Sequence, residues 1–268
     1  MKGKFYFVGT PIGNLKDFSI NKIETLKSVD LILCEDTRTS KVLLDKFEIK
    51  KTLMSFHKFN FKEQTPKVIE KLLTGQNIAL ISDAGMPVIS DPGEEIIESL
   101  KNNQIDYTVI GGVSAFLNAF VLSGFSYPFT FIGFLSDKKS EREKTLLEFR
   151  NVRSTLIFYS AVHDVQKTIQ TLFDAFGNRK ICIARELTKL HEEVIFSTLE
   201  KGYDGILKGE FVILVEGYNQ EEDNLSLEEK LDYYVNMGYN KKDAIKLVAK
   251  DKNMTKSEVY NYFVKKEK

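Results

Sequence analysis

Short apolar runs alternate along the chain with longer segments that carry one apolar face. Several runs are uninterrupted, a pattern typical of strands buried on both faces of a sheet. The longer segments repeat their apolar residues at helical spacing. The alternation predicts an α/β fold in which helices cover mostly parallel sheets. The predicted strands are 5–8, 31–34, 78–81, 107–110, 129–134, 155–159, 180–184 and 210–215, and the predicted helices are 64–74, 93–102, 114–123, 140–150 and 163–176.

The chain of 268 residues is longer than one hydrophobic core usually supports, so we expect two α/β domains. The break between them is predicted near 111–126. This gives an N-terminal domain of 1–112 and a C-terminal domain of 113–219. A polar linker over 219–226 then leads into a small helical extension, 223–268.

Capping-box patterns mark the helical extension, with Ser226 followed by Glu229 and Thr255 followed by Glu258. Together with the apolar-faced segment between them, they predict three helices of helix-turn-helix character. The net charge of zero hides an asymmetry, because residues 240–268 hold nine lysines and four acids. A basic end favours contact with a polyanion, but a solvated surface helix or plain packing module has the same pattern. Both interpretations stay open.

Composition and motifs disfavour several classes of protein. No apolar run reaches the ~18 residues of a membrane span, and the N-terminus lacks a signal-peptide pattern. Cys34 and Cys182 lie in apolar runs, so we expect reduced thiols in a cytoplasmic protein. His57, His163 and His191 are far apart and match no zinc spacing, so no metal site is expected. The G-x-S-x-G motif of hydrolases is also absent.

Two glycine-bearing loops follow predicted strands. The segment 9–14, GTPIGN, lacks the spacing of a dinucleotide or P-loop motif. The segment 82–93, SDAGMPVISDPG, contains two Ser-Asp-x-Gly tetrads. In the second tetrad, Asp91 is expected to cap a helix that begins at Pro92. The first has no such structural role, so we interpret Asp83 and its neighbours as a ligand loop at the carboxyl edge of the sheet.

Charged side chains follow two further predicted strands. Glu35, Asp36 and Arg38 leave the second strand together, as either an internal ion-pair cluster or a substrate clamp. Asp36 is also a candidate helix cap. The segment 184–193, ARELTKLHEE, carries side chains of both signs at another strand end, which is typical of the edge of a site.

In this order, five motifs resemble those of one family: TPIGN, EDTR, SDAGMPVISDPG, Gly112 with Ser114 and Ala115, and ARELTKLHEE. The chain resembles the ribosomal RNA small subunit methyltransferase I family, a branch of the tetrapyrrole-methylase-like (class III) methyltransferases, over about 4–218. The resemblance implies two α/β domains with S-adenosylmethionine in the cleft between them, and a homodimer. It also implies 2′-O-methylation of a cytidine in 16S rRNA, near the decoding centre of the small ribosomal subunit.

The resemblance and the expected chemistry together assign roles to individual residues. Cofactor contacts are expected from Thr10, Pro11, Ser82, Asp83, Ala84, Gly85, Met86, Ser114, Ala115, Tyr159 and Leu187. The candidate catalytic residues, among them a base for the ribose hydroxyl, are Glu35, Asp36, Glu186 and Lys189. RNA contacts are expected from Arg38, His57, Asn60 and Arg185, with Arg38 and Lys189 on phosphates.

The chain departs from the family pattern at two places. Where the family usually reads Pro-Gly-Pro-Ser-Ala, Gly111 and Val113 replace both prolines, which should loosen that loop. Where it reads Tyr-Glu-Ser-Pro-His-Arg, Ser160 and Asp164 replace the glutamate and the arginine, so we expect altered substrate handling.

Two alternative functions remain: methylation of a tetrapyrrole or other small molecule, and a non-catalytic RNA-binding or assembly factor.

Overall fold

The chain forms two compact units. A computed structural model describes residues 1–90, 94–219, 225–252 and 254–266. The first unit comprises 1–118 and 186–192, and the second comprises 119–185 and 193–268. The predicted cap at Asp91 and Pro92, and 220–224 of the predicted linker, lie outside the described residues.

The first unit contains a five-stranded sheet in which every strand pairing is parallel, in the order β3-β2-β4-β1-β5. Successive strand residues enter different apolar clusters: Phe5 and Phe7 pack into one, and Val8 packs into another. The uninterrupted apolar runs therefore reflect burial on both faces, as predicted. The strands are β1 (Phe5–Val8), β2 (Leu31–Cys34), β3 (Thr52–Ser55), β4 (Ile78–Ile81) and β5 (Tyr107–Ile110).

Helices connect these strands. The sequence pattern does not predict the first helix, because that helix carries only three large apolar residues. It also does not predict strand β3, because the residues of this strand are only partly buried. A 3-10 turn at Leu15–Asp17 precedes the first helix. The helices are α1 (Ile20–Ser28), α2 (Thr37–Lys46), α3 (Phe61–Leu73), α4 (Glu94–Asn102) and, after β5, α5 (Ala115–Ser123), which continues into the second unit.

The second unit also contains a five-stranded sheet, in the order β6-β7-β10-β8-β9. Strands β6 and β7 run parallel, but the other three pairings are antiparallel. The prediction of a mostly parallel sheet is therefore wrong for this unit, because an uninterrupted apolar run reports burial and not strand direction. The strands are β6 (Phe129–Phe134), β7 (Thr155–Ser160), β8 (Lys180–Arg185), β9 (Glu193–Thr198) and β10 (Phe211–Val215).

The helical extension packs against the rest of the second unit. The Tyr239 hydroxyl lies 3.1 Å from the Thr198 hydroxyl and accepts a hydrogen bond from the Asn178 amide at 3.3 Å. Lys250 pairs with Asp174 at 3.1 Å. The three predicted helices and the capping box at Ser226 are confirmed. The helices of this unit are α6 (Lys139–Phe149), α7 (Val165–Phe176), α8 (Leu227–Asn236), α9 (Lys241–Asp251) and α10 (Lys256–Lys266).

Cys34 and Cys182 are buried free thiols, and burial raises the pKa of Cys182 to about 11. None of the helices in the described ranges has the length and apolarity to cross a membrane. No cluster of three or more potential metal-binding side chains (His, Cys, Asp or Glu) occurs among the described residues.

Candidate functional site

The carboxyl ends of the parallel strands in the first unit share one sheet edge, where open α/β folds bind ligands. The loops after β4, β1 and β5 are neighbours because these strands are adjacent. Thr10 joins two of the loops: its backbone N–H donates to the Gly85 carbonyl at 2.8 Å, and its hydroxyl donates to the Ser82 carbonyl at 3.1 Å. The Ser82 hydroxyl donates to the same Gly85 carbonyl at 3.1 Å. Buried hydrogen bonds thus hold the SDAG turn against the first loop.

Two glycines let the same loops approach closely. A Cβ added at Gly9 would lie 2.8 Å from the Gly112 Cα and 2.6 Å from the Met86 sulfur. The Gly112 N–H donates to that sulfur at 3.1 Å. A Cβ at Gly111, by contrast, would meet nothing within 4 Å. The β5 loop is therefore packed at one glycine and open at the next.

An open groove of about 460 Å³ lies beside the β5 loop. Thr188 lines this groove, and its hydroxyl is buried and has no hydrogen-bond partner among the described residues. Leaving a buried polar group unsatisfied costs about 1–3 kcal/mol, so a polar ligand group that reaches this hydroxyl would remove the cost. The groove is lined by Asp17, Ser19, Lys22, Gly111, Gly112, Val113, Ser114, Leu117, Asn118 and Thr188.

The segment 186–192 belongs to the first unit and folds against the loop after β1. Glu186 and Thr188 adopt positive φ angles of 52° and 66°, which are uncommon for residues other than glycine. The Lys189 ammonium pairs with the Glu186 carboxylate at 2.7 Å. Its stem covers Gly13, where a Cβ would lie 2.3 Å from the Lys189 Cγ. The ARELTK and TPIGN motifs therefore meet in space.

Asp36 and Arg38, after β2, form a close ion pair. Asp36 caps α2 by accepting the Arg38 backbone N–H at 2.8 Å, and the Arg38 guanidinium binds both of its carboxylate oxygens at 3.1 and 2.7 Å. The side-chain hydrogen bond from Arg38 is the main cause that lowers the pKa of Asp36 to about 2. The Arg38 side chain is nevertheless 89% exposed. The motif is thus an ion pair that leaves its cation at the surface.

Asp83 lies close to this pair. Burial raises the pKa of the Asp83 carboxyl, and the nearby Asp36 carboxylate adds to the effect. A hydrogen bond from the Asp36 backbone N–H acts in the opposite direction. The Asp36 carboxylate after β2 therefore influences the protonation of the Asp83 carboxyl after β4.

His57 and Asn60 form a compact turn after β3. The Asn60 side chain accepts the His57 backbone N–H at 2.8 Å and donates to the Ser55 carbonyl at 3.1 Å. The His57 Nδ1 accepts the Phe59 backbone N–H at 3.2 Å. Asn60 therefore holds the turn, whereas the Phe59 ring is 85% exposed beside the imidazole.

Tyr159 and Arg185, two further predicted site residues, lie in the second unit. Tyr159 is half-buried near the end of β7, with its ring 5.0 Å from that of Phe131. Arg185 is buried and donates to the Glu193 carboxylate at 2.9 Å across the β8–β9 pairing. It also donates to the Lys208 carbonyl at 3.3 Å. The guanidinium thus stabilises this end of the sheet, an arrangement that does not favour a phosphate contact.

Residues 4–201 match the family described as Tetrapyrrole (Corrin/Porphyrin) Methylases. The chain belongs to this family. A family relative from Bacillus subtilis (strain 168), named Ribosomal RNA small subunit methyltransferase I, is 41% identical over 97% of this chain and 94% of its own. A protein of the same name from Mycoplasmopsis pulmonis is 45% identical over 79% of this chain and 96% of its own. The branch of the tetrapyrrole methylases predicted from the five motifs is thereby confirmed.

Solved structures support the tetrapyrrole methylase fold. Cobalt precorrin-4 methyltransferase, a cobalamin biosynthetic enzyme, matches with a TM-score of 0.61 at 17% identity, over 80% of this chain and 94% of that one. Diphthine synthase matches with a TM-score of 0.62 at 15% identity, over 80% and 90% of the two chains. At such low identity the likeness concerns the fold alone.

In this member of the family, the first unit contains most of the predicted site residues. The predicted cofactor residues up to Ala115 follow β1, β4 and β5, whereas Glu35, Asp36, Arg38, His57 and Asn60 follow β2 and β3. Thr188 and Phe59 are the two residues of the candidate site to which the sequence assigns no individual role, although Thr188 belongs to the polar cluster expected at a site edge. Thr188 lies inside the ARELTK motif and Phe59 inside the turn after β3, so position within a motif was the available signal for both.

Proposed function

We propose that this chain is an S-adenosylmethionine-dependent methyltransferase that methylates the 2′ hydroxyl of a cytidine in 16S rRNA, near the decoding centre. The observation that carries the proposal is the 41% identity, over nearly the whole chain, with a relative named Ribosomal RNA small subunit methyltransferase I. The enzyme would act in the cytoplasm as a homodimer. The exposed apolar residues Leu117 and Val121, one turn apart on α5, are compatible with a subunit interface.

The groove beside the β5 loop fits the proposed cofactor. S-adenosylmethionine supplies an electrophilic methyl group, and its nucleoside and amino-acid parts need polar partners and close backbone approach. The open backbone at Gly111 and the unpartnered hydroxyl of Thr188 offer both. Thr10, Pro11 and the 82–86 turn would hold the cofactor from β1 and β4, with Ser114 and Ala115 completing the β5 side and Leu187 the 186–192 side. Tyr159, a residue of the second unit, stays a predicted cofactor contact.

The residues after β2 and β3 would bind the substrate. The exposed guanidinium of Arg38 is suited to an RNA phosphate, and the His57 and Phe59 rings to an unstacked base. Lys189, held by Glu186, would place a second cation beside the cofactor loops. These contacts would position the ribose oxygen for in-line attack on the methyl group.

A carboxylate is the expected acceptor of the proton from the ribose hydroxyl. Asp36 is a poor base because its pKa is lowered to about 2, and Glu186 is engaged by Lys189. The Glu35 carboxylate has no ion-pair partner among the described residues and is half-buried at the same sheet edge. We therefore prefer Glu35 as the base.

Transfer of label from S-adenosylmethionine to unmethylated small ribosomal subunits tests the proposal. After alkaline hydrolysis of the RNA, label on a 2′-O-methyl ribose stays in an alkali-stable dinucleotide, because the blocked oxygen cannot attack the neighbouring phosphate. Label on a base is released in a mononucleotide and would contradict ribose methylation. Tight binding without transfer would favour the assembly factor, and transfer to tetrapyrroles instead would favour the small-molecule enzyme.

A further inference from the structure

The helical extension presents an open groove of about 790 Å³ between α9 and α10. Three lysines line it, Lys241 and Lys242 from the first turn of α9 and Lys256 from the start of α10, and all three are exposed. The exposed ring of Tyr260 lies among them. Among the described residues, none of those that line the groove is acidic.

Two acids of the same helices have interactions of their own. Asp243 accepts the Asn240 amide and pairs with Lys246, and it also interacts electrostatically with Lys242. Glu258 accepts the Thr255 backbone N–H at 2.7 Å, as part of the cap of α10. The groove therefore presents lysines together with an aromatic ring, the combination by which proteins hold single-stranded nucleic acid.

The groove is separate from the face by which the extension is fixed. Docking uses Tyr239, the Lys250–Asp174 ion pair and the packing of Lys250 over the Phe173 ring. Lys230 and Asp251 form a further, buried ion pair at 3.3 Å on this side. Because these contacts fix the helical extension, the groove between α9 and α10 has a fixed orientation within the second unit.

We propose that the α9–α10 groove is a second RNA-binding surface, which holds a single-stranded segment of small-subunit rRNA through its phosphates and one stacked base. The inference rests on the proposed function, because it takes the RNA to be the substrate. Lys242 and Lys256 would contact phosphates and Tyr260 would stack on a base. The surface would strengthen binding of the subunit and leave the chemical step unchanged.

The test measures the affinity of the full chain for unmethylated small subunits and for protein-free 16S rRNA across a range of salt concentrations. Two lysines that bind phosphates contribute about 1.4 to 1.8 to the slope of log affinity against log salt. The K242Q/K256Q variant should therefore bind both ligands about tenfold more weakly near 0.15 M salt, with a slope reduced by that amount. Y260A should weaken binding and leave the slope unchanged.

The matched control is K246Q/K252Q, which removes two lysines from the same extension outside the groove. An equal loss in the control, or wild-type affinity in K242Q/K256Q and Y260A, would overturn the proposal. Weaker binding to subunits alone, with protein-free RNA unaffected, would also overturn it and indicate a protein partner. Methyl transfer by the wild type is measured in parallel: if it fails, the proposed function fails, and if it succeeds, only the groove is in question.

Discussion

Replacing Gly9 by alanine tests whether the contact between the β1 and β5 loops shapes the site. The new Cβ would lie 2.8 Å from the Gly112 Cα, so the loops must part by about 0.7 Å to restore ordinary carbon contact. Overpacking of this kind costs about 1–3 kcal/mol. For a chain of this size each kcal/mol lowers the melting temperature by about 2–4 °C. Because the displaced loops frame the cofactor groove, the affinity for S-adenosylmethionine should fall as well.

The matched control is Gly111→Ala, the same chemical change in the neighbouring β5 loop with nothing within 4 Å of the new Cβ. This variant should be as stable as the wild type, or more stable by about 0.4–1 kcal/mol through its less flexible unfolded state. Thermal unfolding followed by circular dichroism measures stability, and titration calorimetry measures cofactor affinity. Equal melting temperatures for G9A and G111A would refute the packing argument.

Four further outcomes follow from the site. G111A should lower cofactor affinity in calorimetry while its melting temperature is kept, because its methyl group enters the groove; unchanged affinity would place the cofactor elsewhere. T188V should keep or raise the melting temperature, since it removes an unsatisfied hydroxyl, but should weaken cofactor binding if that hydroxyl contacts the cofactor. R38Q should reduce both the affinity for subunits and its salt slope with cofactor binding intact; an unchanged slope in filter binding would exclude a phosphate contact. The Asp36 pKa is lowered to about 2, so its charge stabilises the fold above about pH 4, and this contribution is lost as the pH falls towards 2. The D36N variant should therefore lose less stability than the wild type between pH 4 and pH 2. Equal losses of stability in acid unfolding would contradict this.

The parallel sheet of the first unit was predictable because burial on both faces leaves an uninterrupted apolar signal. The predicted limits of β1, β2, β4 and β5 are those observed. Strand β9 was missed because its residues are mostly half-buried, a pattern too weak to separate from a loop. Without β9, nothing in the sequence indicates that Arg185 pairs with Glu193 across two strands. The RNA contact expected of Arg185 stays a prediction, which its burial does not favour.

The strand-end motifs predicted where the candidate site lies better than what each side chain does there. The sequence leaves two interpretations of Asp36 and Arg38 open. The hydrogen bonds show an ion pair, and because the guanidinium is exposed, a phosphate contact stays a prediction. Asn60 was predicted to bind RNA, yet its amide is used on both sides to hold a turn. Such assignments depend on the direction of a side chain within a loop. Local sequence does not specify that direction.

The placement of 186–192 limits how this chain can be divided. The polypeptide leaves β8, contributes one short segment to the first unit and then returns to form β9. A fragment ending at residue 118 would therefore lack Lys189, and with it the aliphatic cover over Gly13. Because the halves are interleaved in this way, dissection by truncation removes part of what it sets out to isolate, and point substitutions in the intact chain are the sounder route.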